Sequence, residues 1–279
     1  QETEINGFEI DTYNQFDLEV GKKEGVCPNC SADRKPENRK AKCAMYDWER
    51  GLGTCMNCDN VFQLHTFKRK AGADKEYVLP VWQNKTELSS NAVKWFEDRG
   101  ISQKTLTEMK VSEGSEWMPQ VSSEVNTIQF NYFIGDTLIN TKYRDGRKNF
   151  KLVKGAEKVF YNINNIVGSD WCVIVEGEMD ALSLYDVGIH NVVSVPNGAT
   201  LNRLNLDYLD NCWEYFEDKS KIILATDSDE AGQNLQQELI RRFGAEVCFM
   251  ADFGVHKDAN DLLMVDGRNA LISAIHNAK

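Results

Sequence analysis

The segment from Lys221 to Gly232, KIILATDSDEAG, constrains the fold more than any other part of the chain. Its apolar run, Ile222 to Ala225, reads as a buried strand, and a helix-forming run begins just after it. Asp227 and Asp229 then stand at the carboxyl end of that strand, alternating by two, so that both face one site. Carboxylates held that close repel each other, and each resists ionising unless a cation lies between them. Hard oxygen ligands at a strand end suit Mg²⁺, which is bound by one or two carboxylates plus substrate phosphates. The alternative is an Asp helix cap beside a solvated acidic turn.

The same unit recurs upstream. WCVIVEGEMDALSLYDVG supplies a strand (Trp171 to Val175), then Glu176-Gly177, then a helix carrying Asp180. Glu176 thus lies at the carboxyl end of a second strand, the edge at which open α/β sheets bind ligands. Downstream, HKDANDLL places Lys257, Asp258, Asn260 and Asp261 just after a third short strand, Glu246 to Met250. Glu-Gly-x-x-Asp, then Asp-x-Asp-x-x-Gly, then Lys-Asp-x-Asn-Asp resembles the Toprim domain shared by primases, topoisomerases and some nucleases. That resemblance implies a cluster of Glu176, Asp227 and Asp229 holding catalytic Mg²⁺ or Mn²⁺, with Asp180 and Asp258 as supporting acids.

The cysteines are an independent signal. Cys27-Pro-Asn-Cys30 and Cys55-Met-Asn-Cys58 are two Cys-x-x-Cys knuckles separated by a stretch of zinc-ribbon length. Thiolates at that spacing close a tetrahedral site for one structural Zn²⁺, and nothing else in so small and hydrophilic a segment would hold it folded. Two disulfides or redox motifs are the competing reading; the lack of a signal peptide argues against it. Cys43 falls in an alternating stretch between the knuckles and reads as a core thiol. Cys172, Cys212 and Cys248, in apolar or aromatic settings, read as ordinary buried residues. Tyr46 and Trp48 are candidate stacking platforms for unpaired bases, with packing of the ribbon core as the alternative.

Between these signals lies TKYRDGRKNFKLVKGAEK, dense in Lys142, Arg144, Arg147, Lys148, Lys151, Lys154 and Lys158. The chain as a whole carries a formal net charge of −11, so the local excess stands out. An acidic protein with a basic patch is compatible with nucleic-acid binding, because the field at the groove matters more than the sum. The preceding IQFNYFIGDTLINTKYR alternates as a β-hairpin does, with turns at Gly135-Asp136 and Asp145-Gly146. A strand presenting Lys142 and Arg144 on one face would clamp triphosphate or template phosphates.

Zinc ribbon, basic hairpin and Toprim, in that order, resemble the primase half of phage-type and Twinkle-like primase–helicases. KYRDGRKNFK is similar to the basic motif of that family, and SVPNGAT (Ser194 to Thr200) to its Gly-containing loop. The fold expected is α/β: a β zinc ribbon, an α+β subdomain with the basic hairpin, and a C-terminal Toprim α/β domain. The expected boundaries are an acidic extension over 1–24, the ribbon over 25–66, a linker over 67–80, the α+β subdomain over 81–169 and Toprim over 170–279. Apolar residues Val93, Phe96, Ile101 and Leu106 have helical spacing broken at Gly100. The implied activity is metal-dependent primer synthesis from ribonucleoside triphosphates on single-stranded DNA. Glu176, Asp227, Asp229, Lys142 and Lys148 would be catalytic; Lys142, Arg144, Lys148, Lys151, Lys257 and Asn260 would contact nucleotide or template. A non-catalytic zinc-and-Toprim recombination mediator or a Toprim nuclease is the alternative.

No P-loop occurs, so no helicase motor lies in this chain. The absence of an initiator Met suggests an excised or processed piece, and a replicative helicase is expected as partner, in cis beyond Lys279 or in trans. The resemblance implies the cytoplasm of a bacterial or phage-infected cell, or a mitochondrion or plastid on the Twinkle-like branch.

Overall fold

The computed structural model describes residues 4–5, 8–12, 21–48, 51–67, 77–80, 88–198 and 206–279, and falls into two compact units, 1–75 and 76–279. Of the expected linker over 67–80, residues 68–76 lie outside the described residues.

Among the described residues the first unit has seven strands: β1 (Glu4–Ile5), β2 (Phe8–Thr12), β3 (Glu24–Gly25), β4 (Ala44–Asp47), β5 (Leu52–Cys55), β6 (Val61–Gln63) and β7 (His65–Phe67). β3 to β6 form an antiparallel ribbon in sequence order. A small core of Cys27, Ala44, Tyr46, Trp48, Cys55 and Leu64 lies within it. β7 pairs with β2 (Ile10 opposite Phe67, Thr12 opposite His65), so part of the acidic N-terminal segment adds a strand beside the end of the ribbon.

The second unit opens with α1 (Ser90–Glu97) and α2 (Gln103–Glu108). Ser89 and Ser102 cap them, accepting from the Ala92 and Thr105 amides. The break falls at Gly100, whose φ of 74° favours a residue without Cβ, and Phe96, Ile101 and Leu106 are buried. Four antiparallel strands follow: β8 (Ser112–Met118), β9 (Ser123–Ile134), β10 (Thr137–Asp145) and β11 (Phe150–Leu152), ordered β11-β10-β9-β8. Gly135-Asp136 is the two-residue turn joining β9 to β10, as the alternation predicts.

The rest is a parallel sheet: β12 (Trp171–Val175), β13 (Val192–Ser194), β14 (Lys221–Ala225) and β15 (Cys248–Met250), ordered β13-β12-β14-β15. Helices α3 (Glu178–Asp186), α4 (Asp207–Asn211), α5 (Glu230–Phe243), α6 (Ala259–Asp266) and α7 (Arg268–His276) accompany it. Residues Cys172 to Val175 and Ile222 to Ala225 are almost wholly inaccessible, the pattern of strands covered on both faces. Cys172, Cys212 and Cys248 are buried there as expected. Because β12 leads to β13 on one side and β14 lies on the other, the strand order reverses between β12 and β14, and a crevice opens at their carboxyl ends. One continuous core joins α1, α2, β9 and β10 to this sheet. No helix among the described residues is long and apolar enough to cross a membrane.

Candidate functional site: an acidic sheet edge and a four-cysteine cluster

In the ribbon, Cys27, Cys30, Cys55 and Cys58 bring their sulfurs within 4.8 Å of one another. Cys27 to Cys58 is 3.8 Å and Cys30 to Cys55 is 3.7 Å. Four sulfurs around a tetrahedral ion at Zn–S bonds of about 2.3 Å lie roughly 3.8 Å apart, whereas a disulfide closes to about 2.05 Å. The Asn29 and Asn57 amides donate to the Cys27 and Cys55 sulfurs at 3.3 Å, which supports thiolate charge at each knuckle. The donor set and its spacing fit Zn²⁺. Cys43 stays outside the cluster and packs against the ribbon core. Tyr46 and Trp48 are each only 8% exposed, meet edge to face at 6.1 Å, and donate to the Val26 and Lys22 carbonyls. Their rings fill the ribbon core, the packing alternative, and do not present an open face to a base.

In the second unit, β12 ends one residue before Glu176, and β14 ends two before Asp227. Asp229 is the N-cap of α5, its Oδ1 accepting from the Gly232 amide at 3.0 Å. The cap and site readings therefore coexist, because the other oxygen faces Lys257 at 3.4 Å. Lys257 Nζ lies 2.8 Å from Asp227 Oδ2, so the cation that two close carboxylates demand is a lysine of this chain. The Ser228 amide donates to the Lys257 carbonyl at 2.8 Å and fixes the two loops to each other. The glycine of Asp-x-Asp-x-x-Gly is required by packing: a Cβ on Gly232 would overlap the backbone of Asp227.

Asp180, 7% exposed on α3, accepts from the Asn260 amide at 3.0 Å. A Cβ at Gly177 would come within 2.9 Å of its carboxylate, which accounts for the Gly after Glu176. Asp258 caps α6, accepting from the Asp261 amide at 2.8 Å. Burial, and then the charges of Asp258 and Asp227, push the Asp180 carboxyl well above the usual range. Asp227 is raised by burial against the pull of Lys257, while the Gly232 amide holds Asp229 low. Lys257 is raised, first by its bond to Asp227. Among the described residues, the four cysteines are the only group of three or more ligating side chains drawn within 4.8 Å of each other. The five acids are electrostatic neighbours built from oxygen donors alone, a set whose chemistry fits Mg²⁺ or Mn²⁺, and two of them, Asp227 and Asp229, pair with a lysine. Gly198, in the loop expected to matter, lies against Glu176 (a Cβ would be 3.6 Å from its Oε1); Ala199 and Thr200 lie outside the described residues.

The basic stretch is less open than its sequence suggests. Lys142 is buried on β10, and its Nζ bonds both oxygens of Glu178 at 2.8 and 3.0 Å. Tyr132 also donates its hydroxyl to Glu178. Lys151 bonds Glu116 at 2.8 Å and the Trp117 carbonyl at 2.6 Å. Asn260 uses its side-chain amide on the Arg99 carbonyl and the Ser183 hydroxyl, at 2.9 and 2.8 Å. Lys142, Lys151 and Asn260, expected to meet phosphates, thus brace the fold in this structure. Lys148 is exposed at the β10–β11 turn with φ of 63°. Asp145 holds that strained turn by accepting from the Arg147 and Asn149 amides at 2.8 and 2.9 Å. Arg144 is half-buried and lies 4.5 Å above the Trp95 ring, with Arg99 4.0 Å from the same ring. Burial, and then Arg99, lower the Arg144 pKa. Arg99 and Trp95 were missed from sequence; a Trp and an Arg one helical turn apart, next to the helix-ending Gly100, were the available signal.

A parallel sheet whose switch-point edge carries Glu-Gly-x-x-Asp and Asp-x-Asp-x-x-Gly is Toprim-like, and residues 173–263 match that family. Over 202 residues the chain is 34% identical to the "Primase homolog protein" of Arabidopsis thaliana, covering 66% of this chain and 58% of that protein. It is 32% identical to the "Twinkle homolog protein, chloroplastic/mitochondrial" of the same plant, covering 66% of this chain and 28% of that one. The chain therefore spans about half or less of these curated relatives. The crystal structure of the primase fragment of the bacteriophage T7 primase–helicase aligns over 91% of this chain and 99% of its own, with a TM-score of 0.54 at 20% identity. The chain is thus similar in sequence to a primase homolog and a Twinkle homolog, and in fold to the primase fragment of a phage primase–helicase.

Proposed function

We propose that the chain is a DNA primase, synthesising short RNA primers from ribonucleoside triphosphates on single-stranded DNA in a metal-dependent, template-directed reaction. One observation carries this reading: Glu176, Asp227 and Asp229 come from the carboxyl ends of two adjacent parallel strands at the switch point, with Asp180 and Asp258 beside them. Glu176, Asp227 and Asp229, supported by Asp180 and Asp258, would hold Mg²⁺ or Mn²⁺. A bound pair of such ions, about 4 Å apart, stabilises both attacking and leaving oxygens in phosphoryl transfer. The protein contributes positioning and fixed charge. Lys148 and the Arg99–Arg144 pair would neutralise template or triphosphate phosphates: Lys148 is exposed at the β10–β11 turn, and both arginines lie over the Trp95 ring, whereas Lys142 is bonded to Glu178. Lys142 would act from its buried pair with Glu178, two residues beyond Glu176.

The ribbon, closed by Zn²⁺ on Cys27, Cys30, Cys55 and Cys58, would read a short template sequence and deliver it. A replicative helicase, in cis beyond Lys279 or in trans, would be the working partner, and a chloroplast or mitochondrion is a fitting location given the Twinkle-type relative. The test is incubation with labelled ribonucleotides, Mg²⁺ and mixed single-stranded templates. Short RNA oligomers whose sequence complements the template are expected. DNA binding with no oligomer under any template or metal condition would reject the enzyme in favour of a recombination mediator; DNA cleavage would reject it in favour of a nuclease.

A further inference from the structure

A lysine fills the place where a metal-binding acid pair calls for a cation. Lys257 Nζ is 2.8 Å from Asp227 Oδ2 and 3.4 Å from Asp229 Oδ2, between the two carboxylates that the proposed function assigns to metal. Its backbone is held on both sides: its carbonyl accepts from Ser228 at 2.8 Å, and its amide donates to Asp261 Oδ2 at 3.3 Å. Its side chain is 57% exposed, so the head group has solvent to move into while the main chain stays fixed. An ammonium on a four-carbon stem is a mobile point charge of this kind.

We infer that Lys257 is a tethered counter-cation that occupies the acid pair when no metal is bound and is displaced when a divalent ion enters. Its head group then swings towards solvent at the open sheet edge, where a polyanionic substrate would give it a new partner. The lysine keeps the carboxylates close without metal, and it makes metal entry an exchange of one cation for another. This rests on the metal-site reading above, and the experiment separates the two.

Mn²⁺ binding to the intact protein is measured by electron paramagnetic resonance for the parent, Lys257→Gln and Lys104→Gln; Lys104 is an exposed helix lysine paired to Glu108 at 3.7 Å. Lys257→Gln should bind Mn²⁺ at least tenfold more tightly than the parent, and Lys104→Gln within twofold of it. In the parent, acetylation of Lys257 by an N-hydroxysuccinimide ester, followed by mass spectrometry, should speed up at least fivefold on saturation with Mg²⁺, while Lys104 changes less than twofold. Unchanged or weaker Mn²⁺ binding in Lys257→Gln, or a Lys257 reactivity indifferent to Mg²⁺ in a protein that binds it, overturns the exchange and leaves the metal site standing. Absence of Mn²⁺ binding to parent and variant alike overturns both.

Discussion

Lys142 tests whether a basic residue of the hairpin serves the fold or only the substrate. Its Nζ bonds both oxygens of Glu178, and the two side chains are 11% and 4% exposed. Removing one member of such a pair leaves a buried charge facing a neutral group, a loss of roughly 3–5 kcal/mol. For a domain of this size each kcal/mol moves the melting temperature by roughly 2–4 °C, so Lys142→Met should melt about 6–20 °C lower. Glu178→Gln should fall by a similar amount. The double variant should lose less than the sum, with a coupling of roughly 1–3 kcal/mol, because the second change removes the orphaned partner. Urea and thermal unfolding, with zinc present throughout so that the ribbon does not contribute, measure all three. A Lys142→Met protein as stable as the parent, with activity alone reduced, would refute the buried pair and restore the sequence expectation of an open phosphate contact.

Four further outcomes follow from particular contacts. Cys27→Ser should lose the bound zinc, about one ion per chain, whereas Cys43→Ser should keep it; elemental analysis decides. Gly232→Ala would gain up to about 1 kcal/mol in an unhindered helix, but its Cβ meets the Asp227 backbone, so lower stability and weaker Mn²⁺ binding are expected. Asp186 ties three helices by accepting from Ser102, Thr105 and Arg268, at 2.7 Å from Thr105 and 2.8 Å from Arg268. Burial alone would raise its carboxyl, but these donors, Ser102 foremost, hold it below the ordinary value. Its stabilisation is then fully present above the unfolded-state pKa, near 3.9, and lost as pH falls through the lower folded value. The stability gap between the parent and Asp186→Asn should be constant from neutral pH to about 5 and close below about 4. A gap that widens on acidification would contradict the depressed carboxyl.

The chain announces its two sites in different degrees. The knuckles are legible because a zinc site would fix both residue type and spacing, and the units at β12 and β14 because strands covered on both faces leave uninterrupted apolar runs. The turn at Gly135-Asp136 and the helix break at Gly100 are legible because the backbone there calls for glycine. What the basic stretch does is not legible, because its partners are remote: Glu178 lies 36 residues from Lys142, and Glu116 lies 35 from Lys151. A dense run of lysines looks like one solvated surface until the sheet turns alternate residues inward. Alternation of Phe8, Ile10 and Thr12 was the missed sign that the acidic N-terminal segment holds a strand, obscured by the lack of any Lys or Arg in its first twenty residues. Asp229 shows a limit of motif reading of another kind, since one carboxylate caps a helix with one oxygen and faces the site with the other.

That double use makes Asp229→Asn the most direct probe of the central claim. Asparagine keeps the size and the capping oxygen, so the helix and the fold should persist with a melting temperature near that of the parent. What is lost is one negative charge at the sheet edge. Primer synthesis on a single-stranded template, measured beside thermal stability and DNA binding, should fall by orders of magnitude while the other two stay level, because electrostatic stabilisation at the transferring phosphoryl group is removed. Primer yield within about threefold of the parent, at equal stability, would contradict the account.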